Sequence, residues 1–195
     1  MRECFWDSTI VITNRSLVEG DYLEQIKRVA AFRPCAVVLR EKDLSAEEYE
    51  QLAGEVHEIC NNAQTQMYVH SSVETAVKIG CRAIHISVAD IDSLQSRRDY
   101  FDKISVSCHS LDDVKKAVNG GATQIILGTI FETDCKKGLK GSGTEFVKEI
   151  TDFIKDNRKG DIPVYAIGGI SPDNIGSVIE AGAAGGCMMS YVMRY

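Results

Sequence analysis

Apolar runs of four to seven residues recur along the chain, separated by segments with apolar residues at helical spacing. The runs predict strands over Thr9–Asn14, Cys35–Arg40, Gln66–His70, Ala83–Ser87, Ile104–His109, Gln124–Ile130, Pro163–Gly169 and Gly186–Ser190. Val37-Val38-Leu39 and Ile125-Ile126-Leu127 are apolar at successive positions, as strands covered on both faces are. Between them, Ser45-Ala46-Glu47-Glu48 reads as a capping box that opens a helix. Ser171-Pro172-Asp173 reads as another helix start, with proline at the first helical position. Leu111–Val118 and Thr144–Ile154 carry amphipathic helical patterns. Glycine followed by small residues recurs at three helix-to-strand junctions, Gly80-Cys81-Arg82-Ala83, Gly121-Ala122-Thr123-Gln124 and Gly182-Ala183-Ala184-Gly185. Eight β-α units in series, with no linker between them, predict an α/β fold: a closed TIM (β/α)8 barrel of eight parallel strands. An open doubly wound sheet is the alternative.

At 195 residues the chain suits one domain, 1–195, and is short for a barrel of this kind. The shortfall is at the end. Ser190 is followed only by Tyr191-Val192-Met193-Arg194-Tyr195, so the final helix is missing or truncated. The apolar bed it would cover needs another cover, and Cys4-Phe5-Trp6 or a partner subunit is expected to supply it.

Composition narrows the function. Hydrophobic residues make up 44% and charged residues 26%, as in a globular protein. A formal charge of −6 argues against nucleic-acid or anionic-membrane binding, so an anionic ligand must be held by local geometry. No apolar run reaches the roughly 20 residues of a membrane span, and the N-terminus has no signal-like apolar region. The 7 cysteines are odd in number and lack ligand spacing, which predicts reduced, buried thiols in a cytoplasmic protein and no zinc site.

In such a barrel the chemistry sits where the strands end. Gly168-Gly169 after the seventh strand and Ser190 after the eighth mark the usual phosphate position. Arg40, Lys42, Lys136 and Lys137 form a basic rim suited to a second anion such as pyrophosphate, unless they pair locally with Glu41 or Asp43. His109 and His70 lie at strand ends, where imidazole serves acid–base work near neutral pH, and His85 lies within a strand as a core or supporting residue.

Several segments run in the order of one known family. They are Ile12-Thr13-Asn14-Arg15, Leu39-Arg40-Glu41-Lys42-Asp43-Leu44, Ser107-Cys108-His109-Ser110-Leu111, Gly128–Leu139 and Ala166-Ile167-Gly168-Gly169-Ile170-Ser171-Pro172-Asp173. The chain resembles the thiamine phosphate synthase superfamily, and the run Phe131–Leu139 looks most like its thiazole tautomerase (TenI-type) branch. The resemblance implies a barrel that binds a thiazole phosphate. It implies anion contacts from Arg40, Lys42, Ser107 and Lys136, phosphate contacts from Gly169, Met189 and Ser190, and a thiazole-site position for Thr133. The chain departs from the synthase pattern at Val38 and at His70-Ser71, where that pattern has glutamine and a magnesium-binding Asn-Asp, and leaves Asp90 as the one magnesium carboxylate. It departs from the tautomerase pattern at Thr129, where that pattern has histidine. The leading expectation is a tautomerase-like enzyme in which His109 and His70 relay the proton and Arg40 or Lys136 holds the carboxylate. One alternative is a synthase that joins a pyrimidine pyrophosphate to the thiazole phosphate and uses Mg2+; the other readings need no cofactor. The second alternative is a non-catalytic binder of thiazole or thiamine phosphate. A homodimer is the expected assembly.

Overall fold

The computed structural model describes residues 5–133, 141–157 and 162–195. Eight strands, β1 (Thr9–Ile12), β2 (Ala36–Leu39), β3 (Met67–His70), β4 (Ala83–Ser87), β5 (Lys103–Cys108), β6 (Gln124–Gly128), β7 (Val164–Ile167) and β8 (Gly185–Met188), pair in parallel in chain order. β8 returns to β1 with Ile10 opposite Cys187, which closes the barrel. The strands are buried through most of their length, because side chains fill the barrel on one face and meet helices on the other. Ile10, Leu39, Ile84, Ile104 and Ile125 are fully enclosed.

Among the described residues seven α-helices follow the strands: α1 (Tyr22–Ala31), α2 (Ala46–Asn62), α3 (Val73–Lys78), α4 (Leu111–Asn119), α5 (Gly143–Asp156), α6 (Ile175–Glu180) and α7 (Ser190–Met193). Four begin at a side chain that accepts a backbone N–H of the first turn: Asp21, Ser45, Ser72 and Ser110. Each such cap contributes about 1 kcal/mol and fixes where a strand-to-helix loop ends. Ser45 and Glu48 form the reciprocal capping box expected of them.

The structure corrects three readings of the pattern. β3 and β4 end at His70 and Ser87 as expected, but the other six strands end one or two residues earlier than the apolar runs suggest, since the last residues leave the ladder to form the rim. The helix expected from Ser171-Pro172 begins at Ile175, because Ser171–Asn174 is a turn whose Ser171 carbonyl accepts the N–H of Asn174 and of Ile175. The link from β4 to β5 is a 3-10 helix, Val88–Tyr100. Val88, Ile91 and Leu94 recur every third residue, a period that aligns one face of a 3-10 helix and smears around an α-helix.

The final helix is the four-residue α7. Trp6 fills the space beside it at 1% exposure, stacked on Phe32 at 4.7 Å and meeting Tyr195 edge-on at 5.8 Å. The buried Gln25 of α1 donates to the Val192 carbonyl at 2.9 Å and so ties α7 to the barrel. Cys4 lies outside the described residues.

Candidate functional site

At the C-terminal rim the chain after β2 is set by one buried acid. Glu41 is 5% exposed. Its Oε1 accepts the Thr13 hydroxyl at 2.7 Å and the Tyr22 hydroxyl at 3.2 Å, and the Arg15 N–H reaches both carboxylate oxygens at 3.0 and 3.1 Å. Thr13 Oγ1 in turn accepts the Arg40 N–H at 2.9 Å. Burial, then the Glu41 charge, raise the Tyr22 phenol well above its usual range, so it stays a donor. The Arg15 guanidinium takes Asp43 at 2.5 Å. The local acids are therefore satisfied by other partners. Among the described residues neither Arg40 nor Lys42 forms an ion pair, and both side chains line the central cavity.

The two strand-end histidines differ. His70 donates its backbone N–H to Tyr49 Oη at 3.0 Å, and Tyr49 donates to the Leu39 carbonyl at 2.7 Å, which locks the ends of β2 and β3 together. Burial first, then the charges of Arg40 and Lys42, push the His70 imidazole down to about 4. At neutral pH it has no proton to give and is a weak base, which fits poorly with a relay. His109 is exposed on the rim. Its Nδ1 donates to the Gly128 carbonyl, which can only accept, so Nδ1 carries a proton. The His109 N–H donates to Asp113 Oδ2 at 2.8 Å.

The buried histidines couple stability to pH. His70 is held at about 4 and His85, by burial and then by the charges of His70 and Arg40, at about 3, against about 6.5 unfolded. Below pH about 6.5 the unfolded chain takes up protons that the folded chain refuses, so stability falls as pH drops from about 6.5 toward 4. The melting temperature is expected to fall between pH 7 and pH 5 and to fall less in His70→Asn. A flat profile, or equal slopes in both proteins, contradicts this reading of the two imidazoles.

The turn after β7 requires glycine. Gly168 and Gly169 have φ of 101° and 63°. A Cβ on Gly168 would strike Thr129, and one on Gly169 would lie 2.6 Å from the Glu132 carbonyl. Asn174 holds the turn, donating to the Gly169 carbonyl at 2.8 Å and accepting the Ser171 N–H at 2.9 Å. Asn174 and Arg194 were not expected at the site and Glu41 only as a local partner of the rim cations; Arg194 lines the cavity from beyond β8. The signal available for Glu41 was its place between two cations; Arg194 is the one cation after β8.

Of the residues proposed from sequence, Arg40, Lys42, His70, Asp90, Ser107, His109, Thr129, Thr133, Gly168, Gly169, Met189 and Ser190 all line one cavity of about 1470 Å³. Lys136 and Lys137 lie outside the described residues. The volume exceeds the roughly 300–1,000 Å³ of a usual single-ligand site. Among the described residues no group of three or more His, Cys, Asp or Glu side chains is placed to hold a metal. Asp90 and Glu132 are the carboxylates of the cavity lining, and Asp90 Oδ2 accepts the Ser87 hydroxyl at 2.6 Å.

A family model described as thiamine monophosphate synthase matches residues 9–192. The chain belongs to the thiamine monophosphate synthase family. It is 31% identical over 192 residues to the thiamine-phosphate synthase of Moorella thermoacetica, covering 96% of this chain and 88% of the relative. It is 28% identical over 186 residues to the thiamine-phosphate synthase of Clostridium tetani, covering 94% and 86%. The structure of a thiamine phosphate pyrophosphorylase from Pyrococcus furiosus superposes with a TM-score of 0.83 at 23% identity, over all of this chain and 90% of the other, and agrees in fold. These family relatives carry synthase names, which favours the synthase alternative over the tautomerase reading and an enzyme over a passive binder. No described helix is long and apolar enough to cross a membrane.

Proposed function

We propose that this family member is a thiamine phosphate synthase. It joins a hydroxymethylpyrimidine pyrophosphate to a thiazole phosphate: the bond from the pyrimidine carbon to pyrophosphate breaks as the bond to the thiazole forms, and pyrophosphate leaves. The observation that carries this reading is the placement of two anion-binding features on one cavity. Arg40 and Lys42 follow β2, while the Gly168-Gly169 turn and Ser190 follow β7 and β8. A tautomerase would use a phosphate position, a cation for the substrate carboxylate and a proton shuttle, and the shuttle is what separates the two readings. Here the position where that branch carries histidine is Thr129, and His70 is kept neutral.

Arg40 and Lys42 would bind the pyrophosphate and balance the charge that grows on it as it leaves. Ser107 would donate a hydrogen bond to it, with Lys136 as a further contact. Gly169, Met189 and Ser190 would hold the thiazole phosphate, and Thr133 would line the thiazole position. Magnesium fits a limited role, because among the described residues two separate carboxylates, Asp90 and Glu132, line the cavity and no group of three or more ligands converges there. Mg2+ commonly takes one or two carboxylates together with substrate phosphates. When bound it would neutralise pyrophosphate charge.

Simultaneous occupancy tests the reading. Calorimetry with inorganic pyrophosphate is expected to give the same affinity, within about twofold or ~0.4 kcal/mol, whether or not thiazole phosphate already saturates the protein. Direct competition between the two ligands for one position would reject the synthase assignment.

A further inference from the structure

A line of polar side chains crosses the otherwise apolar barrel interior. Tyr68 Oη lies 3.3 Å from Gln124 Oε1, and Gln124 Nε2 lies 2.9 Å from Ser105 Oγ. Ser105 Oγ is 2.9 Å from His85 Nδ1, and His85 Nε2 is 2.9 Å from Ser107 Oγ. Register explains the line: His85 is opposite Ser105, and Ser105 is opposite Gln124. Tyr68, His85, Ser105 and Gln124 are all buried; of these His85 reaches the cavity lining, beside the more open Ser107. Buried polar groups on this scale are costly unless every donor and acceptor is matched.

Matching them fixes a direction. Among the described residues the Tyr68 hydroxyl finds its one acceptor in Gln124 Oε1, which turns the amide so that its N–H2 donates to Ser105. Ser105 Oγ accepts that N–H, and its own buried proton finds its acceptor among the described residues in His85 Nδ1. His85 must therefore carry its proton on Nε2 and donate to Ser107 Oγ. Ser107 accepts that bond, and its own hydroxyl proton is left to point into the cavity. The opposite tautomer would leave the buried Ser105 proton without an acceptor among the described residues and turn lone pairs of Ser107 toward an anion.

We propose that His85 is a positioning residue, a neutral Nε2–H donor that turns the Ser107 hydroxyl toward the pyrophosphate. The claim rests on the reading of Ser107 as a pyrophosphate contact. Burial, which keeps the His85 ring uncharged, supports it. Gln124, Ser105 and Tyr68 serve to hold the tautomer, so a neutral, buried histidine acts on the ligand through the Ser107 hydroxyl.

Two measurements on the intact chain test this. Nitrogen-15 NMR of histidine-labelled protein at pH 7 is expected to show His85 protonated on Nε2 and bare on Nδ1; the opposite tautomer overturns the proposal. Calorimetry with inorganic pyrophosphate is expected to show about tenfold weaker binding in His85→Leu and in Ser107→Ala, the size of one lost hydrogen bond to a charged group. The double variant should be no weaker than Ser107→Ala, since both changes remove the same bond. His85→Gln, which restores a donor near the Nε2 position, should recover most of the affinity. Unchanged binding in His85→Leu, or losses that multiply in the double variant, overturns the proposal. Where His85→Leu fails to fold, the tautomer and His85→Gln decide. Wild-type protein that shows the predicted tautomer but binds no pyrophosphate removes the synthase reading, and with it the ligand assigned to Ser107. The opposite tautomer with normal pyrophosphate binding removes this inference alone.

Discussion

Arg40→Ala is expected to lower kcat/KM for pyrophosphate release by about a thousandfold, ~4 kcal/mol, the usual scale for removing one partner of an enclosed charge pair. The argument begins at Glu41. Its buried carboxylate collects Thr13, Arg15 and Tyr22, and Thr13 accepts the Arg40 N–H. The backbone at residue 40 is thereby fixed before any ligand arrives, and little of the binding energy is spent on ordering it. The guanidinium forms no ion pair among the described residues, so its loss should leave stability nearly unchanged. A shift of melting temperature within about 2 °C is expected. Arg40→Lys should recover only part of the rate, because a point charge cannot replace a planar fork that binds two oxygens at once. Activity within threefold of wild type in Arg40→Ala would remove Arg40 from the site.

The second large effect is on stability. Trp6→Ala is expected to cost about 4 kcal/mol in urea unfolding, the middle of the range for emptying a fully buried large aromatic site. Trp6 packs between Phe5 and Phe32 and against Tyr195, where the short α7 leaves room. At about 2–4 °C per kcal/mol for a chain of this size, the melting temperature should drop by ~8–16 °C. Trp6→Phe should cost far less, since the indole N–H is buried without a partner among the described residues and its removal forfeits no hydrogen bond. A loss below about 1 kcal/mol in Trp6→Ala would mean that this aromatic cluster does not seal the barrel.

The fold was legible because its signal is local. Runs such as Ile125-Ile126-Leu127 announce strands covered on both faces, and eight in series with helices between them leave little choice but closure. The cover by Trp6 was equally readable, since it packs beside the four-residue α7. What escaped depends on packing or on subtle period. Pro172 looked like a helix start, yet Asn174 closes a turn first. Val88, Ile91 and Leu94 differ from an α-helical stripe by little more than half a residue per turn.

The site divides in the same way. Positions at strand ends could be chosen from the sequence, since barrel topology sends them to one rim. Their supports could not. Glu41 meets partners 19 to 28 residues away, and nothing in Arg40-Glu41-Lys42 shows that the acid turns away from its neighbours. Likewise the polar residues Ser105 and Gln124 stand out within apolar strands, but only the register sets them beside His85. His70 looked suited to proton transfer because it ends a strand, whereas its enclosure near Arg40 and Lys42 depresses its basicity.

Turnover of defined substrates tests the central claim most directly. Purified protein is mixed with hydroxymethylpyrimidine pyrophosphate, thiazole phosphate and Mg2+, and both products are quantified by mass spectrometry. The account predicts equal amounts of thiamine phosphate and pyrophosphate, formed only when both substrates are present. Aromatisation of the thiazole carboxylate phosphate tautomer with no coupling to the pyrimidine would contradict it.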